Sequence, residues 1–166
     1  IKALAKQGFA PGDLAAAGLV VARDSGSGFY DRFRARVMFT ITDLRKRVVG
    51  FGGRVLGDGM PKYLNSPDTL LFKKGQTLFA LDQAREAIVR TKTVIVVEGY
   101  FDAIALHQAG LTHTVATLGT ALTPEHVQAL RRFAENVVLL FDPDAAGVRA
   151  ALRGLDLFVN SGMGVK

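Results

Sequence analysis

Cysteine is absent from this sequence of 166 residues, and no apolar run is long enough to span a membrane. Without cysteine the chain can form neither a disulfide nor a thiolate zinc site, so we expect no zinc in it. The first residues also lack the charged and apolar regions of a signal peptide. These absences are consistent with a cytoplasmic protein that has no membrane partner.

Acidic residues are scarce between positions 32 and 74, where the sequence has only Asp43, Asp58 and Asp68. The same window is rich in basic residues: Arg32, Arg34, Arg36, Arg45, Lys46, Arg47, Arg54, Lys62, Lys73 and Lys74. With a net charge of +6 for the chain, this distribution favours an anionic partner such as a nucleic-acid backbone. A solvated basic face without a ligand is the alternative. A content of 49% hydrophobic and 22% charged residues indicates a folded protein.

Two apolar runs of strand length end at carboxylates. Val94–Val97 precedes Glu98, and Val137–Phe141 precedes an Asp-Pro-Asp sequence. Continuous apolar strands are typical of a parallel sheet covered by helices, and such sheets bind ligands at their carboxyl edge. Oxygen ligands that converge there suit Mg²⁺, with Mn²⁺ as a second possibility, although any single acid could simply cap a helix. We therefore predict a metal site formed by Glu98, Asp102, Asp142 and Asp144.

The second half of the chain alternates regularly between strands and helices. Strands are predicted at 94–97, 114–117 and 137–141, and helices at 81–91, 101–109, from 123 and at 145–160. This rhythm indicates a doubly wound parallel sheet. The fold class is therefore α/β, with a basic mixed α+β subdomain over 1–80 followed by a parallel sheet flanked by helices over 81–166.

The first half is less regular. We expect a strand at 19–22, a loop at 24–28, an antiparallel hairpin formed by 36–42 and 48–55, and an irregular, exposed segment over 62–76. The three histidines show no spacing typical of metal ligands, and we interpret them as solvated or helix-surface residues: His107, His113 and His126.

The strand ends with their carboxylates resemble the Toprim fold, which bacterial primases share with topoisomerases and some nucleases. Further motifs resemble, in the same order, the RNA polymerase core of the bacterial primase family. They are Arg36–Phe39, Gly50–Arg54, Lys62–Pro67, Phe72–Gly75, Val97–Asp102 and Leu118–Thr123. The resemblance covers nearly the whole chain.

The resemblance implies template-directed synthesis of short RNA primers on single-stranded DNA by metal-assisted nucleotidyl transfer. Glu98, Asp142 and Asp144 would be the catalytic residues. The sequence has no P-loop, and the phosphates of a nucleotide or of the template would instead contact Arg54, Lys62, Asn65 and Lys74. The implied partners are the template, the RNA primer and nucleoside triphosphates, at replication forks of the bacterial nucleoid. The alternatives are another metal-dependent Toprim nuclease or topoisomerase fragment, or a nucleic-acid-binding module without catalysis.

Bacterial primases continue beyond the part that this chain resembles. Their next strand is followed by a further acidic pair, and a separate domain contacts the replicative helicase. We therefore expect this chain to be a fragment whose Toprim subdomain is truncated and which makes little or no primer alone.

Overall fold

The computed structural model describes residues 1–24 and 26–166, which form two compact units. The first unit comprises 1–41 and 48–73, and the second comprises 42–47 and 74–166. Ser25, within the predicted loop 24–28, lies outside the described residues. The subdomain boundary that the sequence places at residue 80 stays a prediction.

The described residues of the first unit form two small sheets and two short helices. Its elements are α1 (Lys2–Ala5), α2 (Pro11–Ala16), β1 (Val20–Ala22), β2 (Phe29–Asp31), β3 (Arg36–Thr42), β4 (Val48–Val55) and β5 (Tyr63–Asn65). β1 pairs antiparallel with β2, whereas β3, β4 and β5 form a three-stranded sheet in that order. A Cβ atom at Gly53 would lie 3.1 Å from Cδ of Arg36. Glycine at this position therefore permits the arginine to lie close against β4.

The prediction of an irregular, exposed segment over 62–76 is wrong in two respects. Residues 63–65 form β5, which pairs antiparallel with β4. Ser66 is fully buried, and its hydroxyl accepts a hydrogen bond from the Phe51 amide at 3.0 Å. Three residues are too short to show an alternating pattern, so sequence periodicity does not identify this strand.

The second unit is the predicted parallel sheet flanked by helices. Its elements are α3 (Leu81–Thr91), β6 (Thr93–Val97), α4 (Tyr100–Gln108), β7 (Thr114–Ala116), α5 (Pro124–Arg131), β8 (Asn136–Leu139), α6 (Ala145–Asn160) and β9 (Gly164–Val165). The strand order is β7-β6-β8-β9, and every neighbouring pair is parallel. β6 lies between two strands and its residues 94–97 are buried, as its continuous apolar sequence predicts.

The core of this unit forms where side chains of the sheet meet the helices. Ile88 of α3, Val94 and Val96 of β6, Leu130 of α5 and Phe158 of α6 are all fully buried in one cluster. Burial of a side chain of this size contributes about 1.5–3 kcal/mol, so this cluster fixes the helices on the sheet. None of the described helices is long and apolar enough to cross a membrane.

The surface role predicted for His126 is wrong. His126 lies in the first turn of α5 and is fully buried, with its Nε2 atom 2.9 Å from the carbonyl oxygen of Lys74. Burial lowers the pKa of its imidazole, so the ring is neutral at neutral pH. His107 is half-buried, and its Nε2 atom lies 2.8 Å from the carbonyl oxygen of Thr114.

Candidate functional site

Glu98 and Asp142 follow neighbouring strands at the carboxyl edge of the parallel sheet. β6 ends at Val97, directly before Glu98, and β8 pairs with it so that Leu139 lies opposite Val96. β8 ends at Leu139, two residues before the predicted end, and beyond it the amide of Asp142 donates to Oε1 of Glu98 at 3.3 Å. This hydrogen bond brings the two acidic residues together.

A cleft of about 330 Å³ opens beside these strand ends. We call it the acidic cleft; its lining residues are Val97, Glu98, Asp102, Ala105, Leu106, Leu140, Phe141 and Asp142. Three of these residues carry carboxylates and none is basic. Glu98 is half-buried, whereas Asp102 and Asp142 are exposed. Three acids in one cleft without a basic neighbour favour a bound cation.

Asp102 and Asp144 also stabilise the starts of helices. Oδ2 of Asp102 accepts the amide hydrogen of Gly99 at 3.1 Å, which forms a capping interaction at α4. Oδ1 of Asp144 accepts from the amides of Ala146 and Gly147 at 2.9 and 2.7 Å, as the N-cap of α6. Asp144 is not among the residues that line the acidic cleft. Each of these carboxylates thus uses one oxygen for its own helix and has a second oxygen.

The donor set of the acidic cleft fits Mg²⁺. Among the residues that the structure describes, no group of three or more acidic or histidine side chains is placed to enclose a metal ion. Mg²⁺ does not require such a cage, because it usually keeps several water ligands and binds one or two carboxylates together with substrate phosphates. Glu98, Asp102 and Asp142 supply oxygen ligands of that kind within one cleft.

Gly147 contributes to this site, although we did not single it out from the sequence. A Cβ atom there would lie 2.1 Å from the carbonyl oxygen of Asp142 and 3.0 Å from Oε1 of Glu98. Glycine therefore allows α6 to begin directly against both acidic residues. The sequence did contain a signal for this role, namely a glycine within the predicted helix 145–160. Glycine there lowers helix stability by about 1 kcal/mol relative to alanine, so its presence suggests a packing reason.

Arg54 lies on β4, Lys62 directly precedes β5, and Asn65 is the last residue of β5, all in the first unit. Arg54 is opposite Tyr63 in the strand register, and its Nη1 atom is 3.3 Å from the tyrosine hydroxyl. The Arg54 guanidinium and the Lys62 ammonium lie 5.7 and 5.9 Å from the centre of the Tyr63 ring. Tyr63 is 41% exposed. Two cations around an exposed aromatic ring can contact both phosphates and bases.

Arg32 and Arg36, also in the basic window, donate hydrogen bonds to backbone carbonyl groups. Nε and Nη2 of Arg32 donate to the carbonyl oxygen of Asn65 at 3.2 and 3.1 Å. Arg36 makes longer contacts, at 3.5 and 3.4 Å, to the carbonyl oxygens of Gly53 and Lys62. Both arginines thus fix the strands that carry Arg54, Lys62 and Asn65. Charge counts alone do not separate such structural arginines from ligand contacts.

Lys74 belongs to the second unit, at the start of the 3-10 turn Lys74–Gln76. α5 holds the backbone of this turn by two contacts. Nε2 of His126 contacts the Lys74 carbonyl, and the Thr123 hydroxyl donates to the Gly75 carbonyl at 2.6 Å. The position of the Lys74 backbone therefore depends on α5.

The tyrosine of the Toprim-like motif is unsuited to be a nucleophile. Tyr100 is only 4% exposed, and its ring packs edge-on against Phe79 with the ring centres 5.0 Å apart. Burial raises the pKa of its hydroxyl well above the usual range. An activated nucleophile requires accessibility and a lowered pKa or an adjacent base.

Comparison with known proteins identifies the class of this parallel-sheet unit and then of the chain. The family model of the Toprim domain matches residues 92–166, and that of the DNA primase catalytic core, N-terminal domain, matches residues 1–85. The chain therefore belongs to the DNA primase catalytic core family. The resemblance indicated by the sequence motifs is confirmed, as is the predicted fold class.

Individual relatives agree with the family models. A DNA primase of Synechococcus elongatus is 58% identical over 87% of this chain, which spans 21% of that protein. The Escherichia coli primase catalytic core superposes with a TM-score of 0.88 at 44% identity, covering 98% of this chain and 54% of that one. A primase catalytic domain bound to single-stranded DNA gives a TM-score of 0.86 at 44% identity, covering 98% and 52%. The chain thus spans about a fifth of the curated relative and about half of the solved cores.

Proposed function

We propose that this chain is part of a primase catalytic core that synthesises RNA primers on single-stranded DNA, a DNA-directed RNA polymerase reaction. The observation that supports this proposal most is the acidic cleft, where Glu98, Asp102 and Asp142 meet at the carboxyl edge of a Toprim-type sheet. Membership of the primase family connects that cleft to nucleotidyl transfer. Bacterial replication forks, in the cytoplasm, would be its place of action, with the replicative helicase as a further partner.

Glu98, Asp102, Asp142 and Asp144 would hold Mg²⁺, for which Mn²⁺ can substitute. The bound ion would neutralise phosphate charge as the primer 3′ oxygen attacks the α-phosphorus of the nucleotide. Glu98 is half-buried, whereas the other three are exposed, and its Oε1 accepts the Asp142 amide hydrogen at 3.3 Å. This contact helps to hold the Glu98 side chain in one orientation, which suits a catalytic carboxylate.

The first unit would contact the template or the nucleotide phosphates. Arg54 and Lys62 supply positive charge beside the exposed ring of Tyr63, and Asn65 supplies an amide on the adjacent strand. Lys74, held through its backbone by α5, would contact phosphate from the second unit. Long cations of this kind stabilise phosphate groups by electrostatic attraction and hydrogen bonds.

A binding experiment with a fluorescent ribonucleoside triphosphate tests this proposal. We expect Mg²⁺ to strengthen nucleotide binding by the parent chain about tenfold, which corresponds to about 1.4 kcal/mol. Glu98→Gln and Asp142→Asn should abolish this increase. Glu86→Gln, which removes an exposed carboxylate on α3 outside the acidic cleft, should retain it.

The fate of the template distinguishes the other candidate functions. Single-stranded DNA should stay intact during incubation with Mg²⁺. Metal-dependent cleavage of the DNA would instead indicate a Toprim nuclease. A binding module without catalysis would bind DNA, but its affinity for the nucleotide would change neither with Mg²⁺ nor in the Glu98→Gln and Asp142→Asn variants.

A further inference from the structure

Glu98 also lines a second cleft, of about 340 Å³, between the connection from β7 to α5 and the first turns of α6. Its walls include Thr117 and Thr120 on the connection, and Ala146, Ala150 and Arg153 on the helix. We call it the Arg153 cleft. It differs chemically from the acidic cleft, because its charged residues are one glutamate and one arginine.

Arg153 presents its positive charge to this cleft from one face of α6. Residues 146, 150 and 153 follow the spacing of a single helix face, and the short alanine side chains leave space next to the guanidinium. Arg153 is exposed, and within the described part of the chain it has no hydrogen bond and no ion pair with Glu98 or any other acid. A planar guanidinium without a protein partner matches phosphate in geometry and charge.

The opposite wall is fixed in place and carries hydroxyl groups. Thr117 is buried; its amide donates to the Val97 carbonyl at 3.1 Å, and its hydroxyl donates to the Glu98 carbonyl at 3.3 Å. Gly119 adopts a φ of +69°, a conformation that glycine tolerates without strain, and so turns the chain at this wall. Thr120 follows this turn and is half-buried. Its hydroxyl adds a hydrogen-bond donor to the same cleft as Arg153.

Glu98 connects the two clefts. A cation in the acidic cleft would neutralise the Glu98 carboxylate, so an anion could then enter the Arg153 cleft without repulsion from it. Because Glu98 lines both clefts, phosphates that ligate the same cation would be adjacent to the Arg153 cleft. The combination of one arginine, the Thr120 hydroxyl and a cation-neutralised carboxylate is suited to a polyphosphate.

We infer that the Arg153 cleft binds the polyphosphate of a nucleoside triphosphate, or the pyrophosphate released from it, with Arg153 as its principal cation. This inference rests on the proposed function, because it assigns a place to the phosphates of the same substrate. It adds a binding residue on α6 to those expected from the basic window of the sequence.

Calorimetric titration with inorganic pyrophosphate in the presence of Mg²⁺ tests the inference. Arg153→Gln should weaken binding at least tenfold, and Arg153→Lys should weaken it less because the charge remains while the fork geometry is lost. Arg149→Gln is the matched control: Arg149 is exposed, lies one turn earlier on the same helix and does not line the cleft. The Arg149→Gln variant should bind pyrophosphate with the same constant as the parent chain. Thermal unfolding should show that all three variants fold.

Other outcomes overturn the inference in distinguishable ways. Equal pyrophosphate binding by Arg153→Gln and the parent chain would refute it, as would equal losses in the Arg153→Gln and Arg149→Gln variants. If Arg153→Gln weakened binding of single-stranded DNA and left pyrophosphate binding unchanged, the cleft would belong to the template. In each of these cases the proposed function would still hold if the parent chain showed Mg²⁺-dependent nucleotide binding and the Asp142→Asn variant lost it. A parent chain that binds neither nucleotide nor pyrophosphate with Mg²⁺ would overturn both.

Discussion

Gly147 shows how a residue without a side chain determines the geometry of the acidic cleft. A methyl group at this position would overlap the Asp142 carbonyl, because their separation would be only 2.1 Å. Backbone atoms cannot rotate away as a flexible side chain can. We therefore expect Gly147→Ala to lower the free energy of unfolding by about 1–3 kcal/mol, measured by chemical denaturation. The same change should weaken Mg²⁺-dependent nucleotide binding, since it displaces Glu98 and Asp142.

Gly154 is the matched control on the same helix. A Cβ atom there would lie 2.9 Å from Cδ1 of Leu122 and 3.2 Å from Cδ1 of Leu139, which are the mobile ends of side chains. The gain in helix propensity, about 1 kcal/mol, opposes this crowding, so Gly154→Ala should change stability by less than about 1 kcal/mol. Equal losses in the two variants would show that Gly147 has no special place at the site.

Asp144 combines two roles that substitutions can separate. Its Oδ1 atom caps α6, and an asparagine can make the same two hydrogen bonds without the negative charge. Asp144→Ala should lower the free energy of unfolding by about 1 kcal/mol, whereas Asp144→Asn should cost less than that. We expect Mn²⁺ to raise the temperature of thermal unfolding of the parent chain, and if Asp144 also binds the metal, both variants should lose this increase. Full Mn²⁺ stabilisation of Asp144→Asn would assign this residue to capping alone.

At the scale of elements, the sequence predicted the second unit better than the first. α3 and α6 have the predicted bounds, because their apolar spacing and the residues at their ends are local signals. α5 likewise begins where Thr123 and Pro124 predict, with the Thr123 hydroxyl accepting the His126 amide at 3.2 Å. β5 and the burial of Ser66 depend on partners elsewhere in the chain, which no local pattern reveals.

The sequence likewise predicted some features of the candidate site and not others. Glu98 and Asp142 could be placed together from the sequence because parallel strands bring their carboxyl ends to one edge. The sequence could not show that Asp144 directs an oxygen into its own helix, because that depends on the path of the loop after β8. It also could not show that Arg32 binds a backbone carbonyl, since a basic residue has the same charge in either role.

The contact between α5 and the 3-10 turn at Lys74 should depend on pH. Burial lowers the pKa of His126 in the folded chain, whereas the unfolded chain has the ordinary value of about 6.5. Below that pH the unfolded state binds more protons than the folded state, so stability is present above pH 6.5 and is lost as the pH falls towards the folded pKa. We expect the free energy of unfolding to decrease from pH 7.5 to pH 5.5.

Substitution separates His126 from other groups that titrate in this range. Burial also lowers the pKa of His113, with smaller contributions from His107 and Arg90, so part of the pH dependence will remain in any His126 variant. His126→Gln should reduce the slope of stability against pH, whatever its effect on stability at neutral pH. An unchanged slope in this variant would show that His126 is protonated equally in the folded and unfolded chains.

At the scale of the whole molecule, the net charge of +6 results from an excess of basic over acidic residues, and the basic residues make different kinds of contact. Arg32 and Arg36 bind carbonyl groups, and Arg47 forms an ion pair with Asp43 at 2.7 Å. Arg54 and Lys62 lie around the exposed Tyr63 ring. Residues of the last kind should release counterions when DNA binds, because each phosphate contact with a single strand contributes about 0.7 to the slope of log K against log salt concentration.

Measuring single-stranded DNA binding at several salt concentrations separates the basic residues that contact phosphate from those with structural contacts. Arg54→Gln and Lys62→Gln should each weaken binding and flatten the slope by about 0.7, while leaving stability nearly unchanged. Lys6→Gln removes the same charge from an exposed position outside the basic window and should preserve the slope. Arg32→Gln should instead lower stability by about 1.5–3 kcal/mol, since it removes a charged donor from the Asn65 carbonyl. If all four variants flattened the slope equally, binding would follow net charge rather than these positions, and the proposed contacts at Arg54 and Lys62 would be wrong.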